Sequence, residues 1–182
     1  AEGRLAEGAT LAALVEERDI VPASALPHGA GGRGAAHRET GPSDLLARLD
    51  LLREAERRGF DRGRSAAAGV DASAARAVTR ARDALLQSAR GALGAGARTG
   101  MQSEDALLRV LLHGFPDRVC RRRAARSDRA RMTGGRGVVL ARESIVRDDE
   151  LFLAIELDEN VRSERVEAMV RVASAVKRKW IE

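Results

Sequence analysis

The stretch from residue 119 to residue 141, VCRRRAARSDRARMTGGRGVVLA, decides how the second half of the chain is interpreted. Apolar and polar residues alternate in its short runs, which is typical of β-strands with one buried face. Gly134, Gly135 and Gly137 predict a tight turn inside it, because glycine adopts positive φ without strain. Two more strand-like runs follow it. The five predicted strands are Val119–Arg123, Arg129–Thr133, Gly137–Ala141, Leu151–Leu157 and Ala168–Val176. Together they predict a small closed or partly open β-barrel.

The first part of the chain carries helical periodicity instead. Apolar residues recur at helical spacing in four segments, each with a capping residue at its start. The predicted caps are Thr10, Ser43, Asp71 and Ser103, and the fourth helix ends before Pro116. The inward stripe of the third helix is Ala74, Val78, Ala81 and Leu85. The connections are a loop at Val21–Pro42, an irregular segment at Asp61–Ala68 and a linker at Gly91–Gly100. Helices followed by short strands predict an α+β protein.

Positive charge is concentrated in the middle of the chain. Residues 61–100 hold 7 basic and 3 acidic residues, and residues 101–142 hold 10 and 4, whereas both ends are slightly acidic. Such a field attracts polyanions, and a solvated surface of an arginine-rich protein is the alternative. Aromatic residues are only 2% of the chain, which argues against a surface that stacks several bases.

The composition also indicates where in the cell the protein is found. No apolar run is long enough to cross a membrane, so we expect no membrane contact. The chain has one cysteine and no visible secretory signal, and both features favour a reducing cytoplasm. The start without Met indicates a piece of a longer chain.

The sequence predicts no catalytic centre. It contains no GxxxxGK[ST] phosphate loop, and the glycines at 134–137 lead into a strand rather than a helix. Cys120 alone excludes a cysteine zinc cage, and His28, His37 and His113 lack ligand spacing. Neighbouring arginines could lower the pKa of the Cys120 thiol, but an ordinary strand residue is the simpler interpretation.

Four motifs resemble the C-terminal region of bacterial HrpB-type DEAH-box ATP-dependent helicases. They are LLHGFPDRVCRRR (Leu111–Arg123), GGRGVVLARES (Gly134–Ser144), LFLAIELD (Leu151–Asp158) and VASAVKRKWIE (Val172–Glu182). LAALVEERDI (Leu11–Ile20) and SDLLARLDLL (Ser43–Leu52) are similar to the helicase-associated helical domain of that family. The resemblance covers nearly the whole chain. It departs from the family in the long Val21–Pro42 loop and at Cys120, where the family often has alanine.

The resemblance implies an architecture and a function. It implies a helicase-associated helical domain in residues 1–106 and an OB-fold in residues 107–182. In the family these domains lie above two RecA-like motor domains and help form the channel for single-stranded nucleic acid, here RNA rather than DNA. ATP and Mg belong to the motor domains, so no cofactor and no hydrolysis are expected of this chain alone. Two alternatives stay open: a protein-interaction module that uses the acidic stretch 143–167, and a domain that only braces the motor.

The candidate site residues are arginines. Because strand side chains alternate, Arg121 and Arg123 share one face, while Arg122 lies on the other face with Cys120. Guanidinium groups bind phosphate oxygens without reading sequence. The predicted nucleic-acid surface consists of Arg118, Arg121 and Arg123 with Arg136 at the turn, and the third helix supplies Arg76, Arg80 and Arg90. The alternative is that half of these arginines face solvent or pair with Asp117 and Asp128.

Overall fold

The computed structural model describes residues 2–22, 40–93, 103–158 and 167–182. The chain divides into two compact units. Of the described residues, 2–22 and 46–93 belong to the first unit, and 40–45, 104–158 and 167–182 belong to the second. The division falls inside one helix, after Leu45. The predicted domains 1–106 and 107–182 stay a prediction, because compactness alone does not delimit domains.

The first unit is helical. Its elements are α1 (Glu2–Glu16), most of α2 (Asp44–Arg57), α3 (Arg62–Ala67) and α4 (Ala72–Leu93). The helix α1 packs along α4, where Leu11 of α1 and Val78 of α4 are buried. Asp71 caps α4 as predicted, accepting the N–H groups of Ser73 and Ala74 at 2.8 and 3.1 Å. The Ser73 hydroxyl also donates to Asp71, at 2.6 Å. This bond, together with the two from the backbone, lowers the pKa of Asp71 to about 2.

Three predictions about these helices are wrong. The first helix begins at Glu2, so Thr10 lies inside it and donates its hydroxyl to the Ala6 carbonyl at 2.7 Å. The segment Asp61–Ala68 is not irregular, because Asp61 accepts the Arg64 N–H at 2.8 Å and starts α3. Leu85 is 41% exposed and does not belong to the inward stripe.

Parts of two predicted connections lie outside the described residues. These are residues 23–39 of the predicted loop and residues 94–100 of the predicted linker. Residues 91–93, at the start of that linker, are helical and end α4.

The second unit contains one helix and a closed barrel among its described residues. They are α5 (Glu104–Gly114), β1 (Val119–Arg122), β2 (Arg129–Met132), β3 (Gly137–Leu140), β4 (Leu151–Asp158) and β5 (Ala168–Val176). The strand order around the barrel is β1-β2-β3-β5-β4, with β3 and β5 parallel and every other pair antiparallel. This is an α+β fold with an OB-like barrel, and the fold prediction is confirmed.

The barrel core is aliphatic apart from one phenylalanine. Phe152, Leu140, Val138 and Val170 are at most 1% exposed and share the core with Cys120. Helix α5 packs against β5 and buries its leucines.

A short segment before α2 is fastened to the barrel. The Ala175 N–H donates to the Pro42 carbonyl at 2.6 Å, and the hydroxyls of Ser43 and Ser174 lie 2.5 Å apart. Ser43 and Ser174 also form an isolated antiparallel bridge. Pro42 and Ser43, which directly precede α2, therefore pair with β5.

Asp44, the first residue of α2, is buried in this attachment and only 4% exposed. Its carboxylate accepts the Ser144 hydroxyl at 2.7 Å, the Ile145 N–H at 2.8 Å and the Ala173 N–H at 2.9 Å. One carboxylate thus joins the segment before α2, the loop after β3 and strand β5. The sequence pattern alone gives no sign of this role for Asp44.

Candidate functional site

Four arginines cover the outer face of the hairpin formed by β1 and β2. Arg121 stands directly opposite Arg131, and the Arg123 N–H donates to the Arg129 carbonyl at 3.0 Å, which places this second pair opposite each other. All four are exposed. We call Arg121, Arg123, Arg129 and Arg131 the arginine ribbon. In β1, Arg121 is exposed and Arg122 is buried, and Arg123, the residue after the strand, is exposed again, as the predicted alternation requires.

A shallow groove runs along the ribbon. Its volume is about 650 Å³, and it is lined by Arg121, Arg123 and Arg131 together with the ends of the hairpin at Val119 and Thr133. Like charges directly opposite each other across two strands are destabilising. The hairpin contains two such pairs, an arrangement that is expected where an anion binds.

Glu150 offsets part of the repulsion at one end of the ribbon. It is the residue before β4, and its Oε1 accepts the Arg121 Nε–H at 3.0 Å. The same carboxylate accepts the Arg178 Nη2 at 2.8 and 2.9 Å. The hydrogen bond from Arg178 is the main reason why the pKa of Glu150 is lowered, so Glu150 stays ionised near neutral pH.

Glu167 offsets the repulsion between Arg123 and Arg129 at the other end of the ribbon. It is the residue before β5, and its Oε1 accepts the Arg123 Nη2 at 2.6 Å. Its other oxygen lies 3.7 Å from the Arg129 Nε. Gly137 makes room for this arrangement, since a Cβ there would lie 3.1 Å from Glu167 Cγ and 3.3 Å from Arg123 Nη2.

Only part of the predicted glycine turn is a turn. Gly134 and Gly135 have φ of +82° and +91° and form it, which needs glycine for conformational reasons. Gly137 is instead the first residue of β3, paired with Arg131. Glycine is needed at this position because a side chain would not fit, and not because the backbone adopts a positive φ.

Arg131 differs from the other ribbon arginines. Within the described part of the chain, it has no ion-pair partner, whereas Arg121, Arg123 and Arg129 each lie against a glutamate. Arg131 was not a predicted site residue, because it was not assigned to a face. Its register opposite Arg121 in a hairpin is the signal that would have found it.

Arg122 faces inward and is 6% exposed. Its guanidinium donates to the carbonyls of Asp149 and Val146, each at 2.7 Å, and to that of Ser127. Its Cζ lies 5.0 Å from the Phe152 ring centroid. Burial lowers the pKa of Arg122. Arg122 therefore holds two loops together and is not available to a ligand.

Arg118 and Arg136 lie at the margin of the ribbon. Arg118 is half-buried, donates from Nη1 to the Ile155 carbonyl at 3.0 Å and lies over the Phe115 ring. Arg136 is exposed beside the positive-φ glycines. The structure thus commits Arg118 to the protein and leaves Arg136 at the surface.

The arginines predicted as a second wall belong to the helical unit. Arg76 is half-buried, donates to the Phe60 carbonyl at 3.0 Å and lies over the Phe60 ring. Arg80 and Arg90 are exposed. Their role in ligand contact stays a prediction.

The acidic partners of the barrel arginines differ from those that the alternative interpretation of the sequence named. In the described ranges, Glu150, Glu167 and Asp148 pair with arginines of the hairpin, and Asp117 and Asp128 do not. Asp148, on the loop before β4, pairs with Arg126 at 2.9 Å.

Other candidate chemistry has ordinary explanations. Burial raises the pKa of the Cys120 thiol to about 12, so its arginine neighbours do not activate it. The His113 Nδ1 lies 2.6 Å from the Arg109 carbonyl near the end of α5. In residues 2–22, 40–93, 103–158 and 167–182, no three His, Cys, Asp or Glu side chains are grouped to hold a metal ion. Across the same ranges, every helix is too short or too polar to cross a membrane.

No protein-family model matches this chain, and no curated protein matches it significantly. It is similar in structure to the Escherichia coli DExH-box NTPase HrpB, with 19% sequence identity and a TM-score of 0.47. The match covers 93% of this chain and 15% of that one. The chain therefore spans about a seventh of the length of that protein.

Proposed function

We propose that this chain is an accessory region of an ATP-dependent helicase, in which the arginine ribbon binds the phosphates of a single-stranded nucleic acid. The observation that supports the proposal is that two pairs of arginines lie opposite each other on the outer face of the hairpin formed by β1 and β2. The hairpin carries four guanidinium groups on this face, three of which line one groove, and guanidinium groups bind phosphate oxygens bidentately. Contacts of this kind give affinity without sequence choice.

The motif resemblance supplies the wider context of the proposal. From it we infer that the strand is RNA rather than DNA and that RecA-like motor domains with ATP and Mg belong to the parent protein, while the single cysteine favours the cytoplasm. The rival role as a protein-interaction module has less support. Three carboxylates of the acidic stretch, Asp148, Glu150 and Glu167, pair with arginines of their own barrel.

The proposal is tested by titrating a labelled single-stranded polyuridine with the protein at several salt concentrations. Each phosphate contact to a single strand contributes about 0.7 to the slope of log affinity against log salt. We expect the triple variant Arg121→Ala, Arg123→Ala, Arg131→Ala to bind more weakly and to flatten that slope by about 2.

A single substitution provides the matched control. Arg131→Ala and Arg109→Ala each remove one exposed arginine from the same compact unit, but Arg109 lies on α5 outside the ribbon. Arg131→Ala should flatten the slope by about 0.7, and Arg109→Ala should leave it unchanged. Equal slopes for the triple variant and the wild type, with the barrel still folded, would rule out the ribbon as the binding surface.

A further inference from the structure

Two carboxylates occupy the positions on the ribbon that a phosphate would take. Glu150 accepts from Arg121 and Arg178, and Glu167 accepts from Arg123 and lies near Arg129. Each glutamate is thus shared by two arginines, as a bound phosphate would be. A strand that binds to the ribbon must exchange these carboxylates for its own phosphates.

The main chain of both glutamates is fixed by the barrel. The Arg122 N–H donates to the Glu150 carbonyl at 3.0 Å. Glu167 directly precedes Ala168, which is 1% exposed and pairs with Val138 of β3. The Glu167 side chain is only 21% exposed, and the space for it exists because Gly137 has no side chain. The carboxylates are therefore built into the surface rather than carried by free loops.

This arrangement has two opposing effects on an anion. A tethered carboxylate competes with a phosphate for the same N–H donors at a high effective concentration. It also holds the long arginine side chains in one geometry, so less side-chain entropy is lost when a ligand arrives. Competition lowers affinity and cancels part of the counterion release that makes binding sensitive to salt.

We infer that Glu150 and Glu167 are resident competitors that weaken the binding of a nucleic-acid strand to the arginine ribbon. The inference rests on the proposed function of the ribbon. It assigns the first contact to Arg131, which lacks a carboxylate partner among the described residues. It also adds Arg178 to the binding surface, since release of Glu150 leaves this arginine, with 55% of its side chain exposed, beside Arg121.

The test compares charge-neutral glutamines at the two positions. Glu150→Gln and Glu167→Gln keep the side-chain shape and remove the negative charge. An exposed ion pair contributes a factor of up to about five to an equilibrium constant, so each substitution should tighten polyuridine binding by about two- to fivefold. The double variant should steepen the salt slope by about 1.4, because two more phosphate contacts release counterions.

Glu104→Gln is the matched control. It removes one exposed carboxylate from the same compact unit, at the first turn of α5, without touching the ribbon. An equal gain in affinity for Glu104→Gln would mean that net charge alone acts, and would overturn the inference.

The remaining outcomes separate the inference from the proposed function. If the wild type binds and the triple arginine variant binds weakly, but the glutamine variants match the wild type, the competitor role is refuted and the ribbon stands. If the wild type, the glutamine variants and the triple arginine variant all show the same weak binding, both are refuted.

Discussion

Replacing Asp44 by alanine should destabilise the barrel more than any exposed substitution in the same unit. The Asp44 carboxylate is 4% exposed and accepts hydrogen bonds from Ser144, Ile145 and Ala173. Alanine removes the acceptor and leaves three donors without it, of which those of Ser144 and Ala173 are buried and that of Ile145 is partly buried. The donors come from the loop after β3 and from β5, so the loss affects two elements at once.

The magnitude follows from these contacts. A hydrogen bond to a charged group stabilises by about 1.5 to 3 kcal/mol, and an unsatisfied buried donor costs about 1 to 3 kcal/mol. Such contributions are not additive when the groups share one partner, so three hydrogen bonds to one carboxylate should contribute less than the sum of three separate ones. We therefore expect Asp44→Ala to lower the free energy of unfolding by about 4 kcal/mol. Asp44→Asn should cost about 2 kcal/mol, because one oxygen remains as an acceptor.

Urea unfolding followed by tryptophan fluorescence measures this effect. The chain has one tryptophan, Trp180, and it lies in the barrel unit. With an m-value of about 2 kcal/mol/M, the midpoint of Asp44→Ala should fall by about 2 M. Asp148→Ala is the control, since Asp148 is 51% exposed in the same unit and forms one surface ion pair with Arg126. Its cost should stay within about 1 kcal/mol. A midpoint for Asp44→Ala equal to that of the control would refute the reasoning.

Two further predictions concern a buried arginine and a helix cap. Arg122→Met should lower the free energy of unfolding in urea by about 3 kcal/mol, because the carbonyls of Asp149, Val146 and Ser127 lose their donor. The control Arg121→Met should lower it by less than about 1 kcal/mol. Equal costs for the two variants would contradict the buried role of Arg122. Asp71→Ala should cost about 1 kcal/mol at pH 6. The Asp71 pKa falls from 3.8 to about 2 on folding, so its stabilisation is complete above pH 3.8 and lost as pH falls toward 2. Circular dichroism melts of both proteins should therefore converge at low pH, and a constant difference would contradict the cap.

The elements of this protein follow largely from local sequence patterns. All five strands lie where alternation between Val119 and Val176 predicts them, within one residue at each end. The inward position of Arg122 and the outward positions of its neighbours also follow, because strand side chains alternate every residue. Local patterns were less informative in the helical unit. The short helix α3 lacks an apolar stripe, and Asp61 was the only local signal for its start.

The pairing of charges was decided by the tertiary structure. Glu167 reaches Arg123 across 44 positions, and Arg121 reaches Glu150 across 29. Asp117 and Asp128, the partners that the alternative interpretation named, are nearer in sequence to these arginines. The closure of β4 and β5 onto the rest of the barrel nevertheless brings the two glutamates to the ribbon instead. Proximity in sequence does not fix proximity in a barrel, because strand order differs from chain order.

The stabilising role of Asp44 could not be predicted from the sequence for the same reason. In sequence it is an ordinary acidic residue in the first turn of a helix, next to a serine that caps helices well. Its burial depends on Ser144 and Ala173, which lie 100 and 129 residues away. The periodicity of a sequence reports which side of an element is apolar, over a few turns or strand residues. Which distant donors meet a carboxylate depends on how the chain closes the barrel, and that information is held only in the assembled fold.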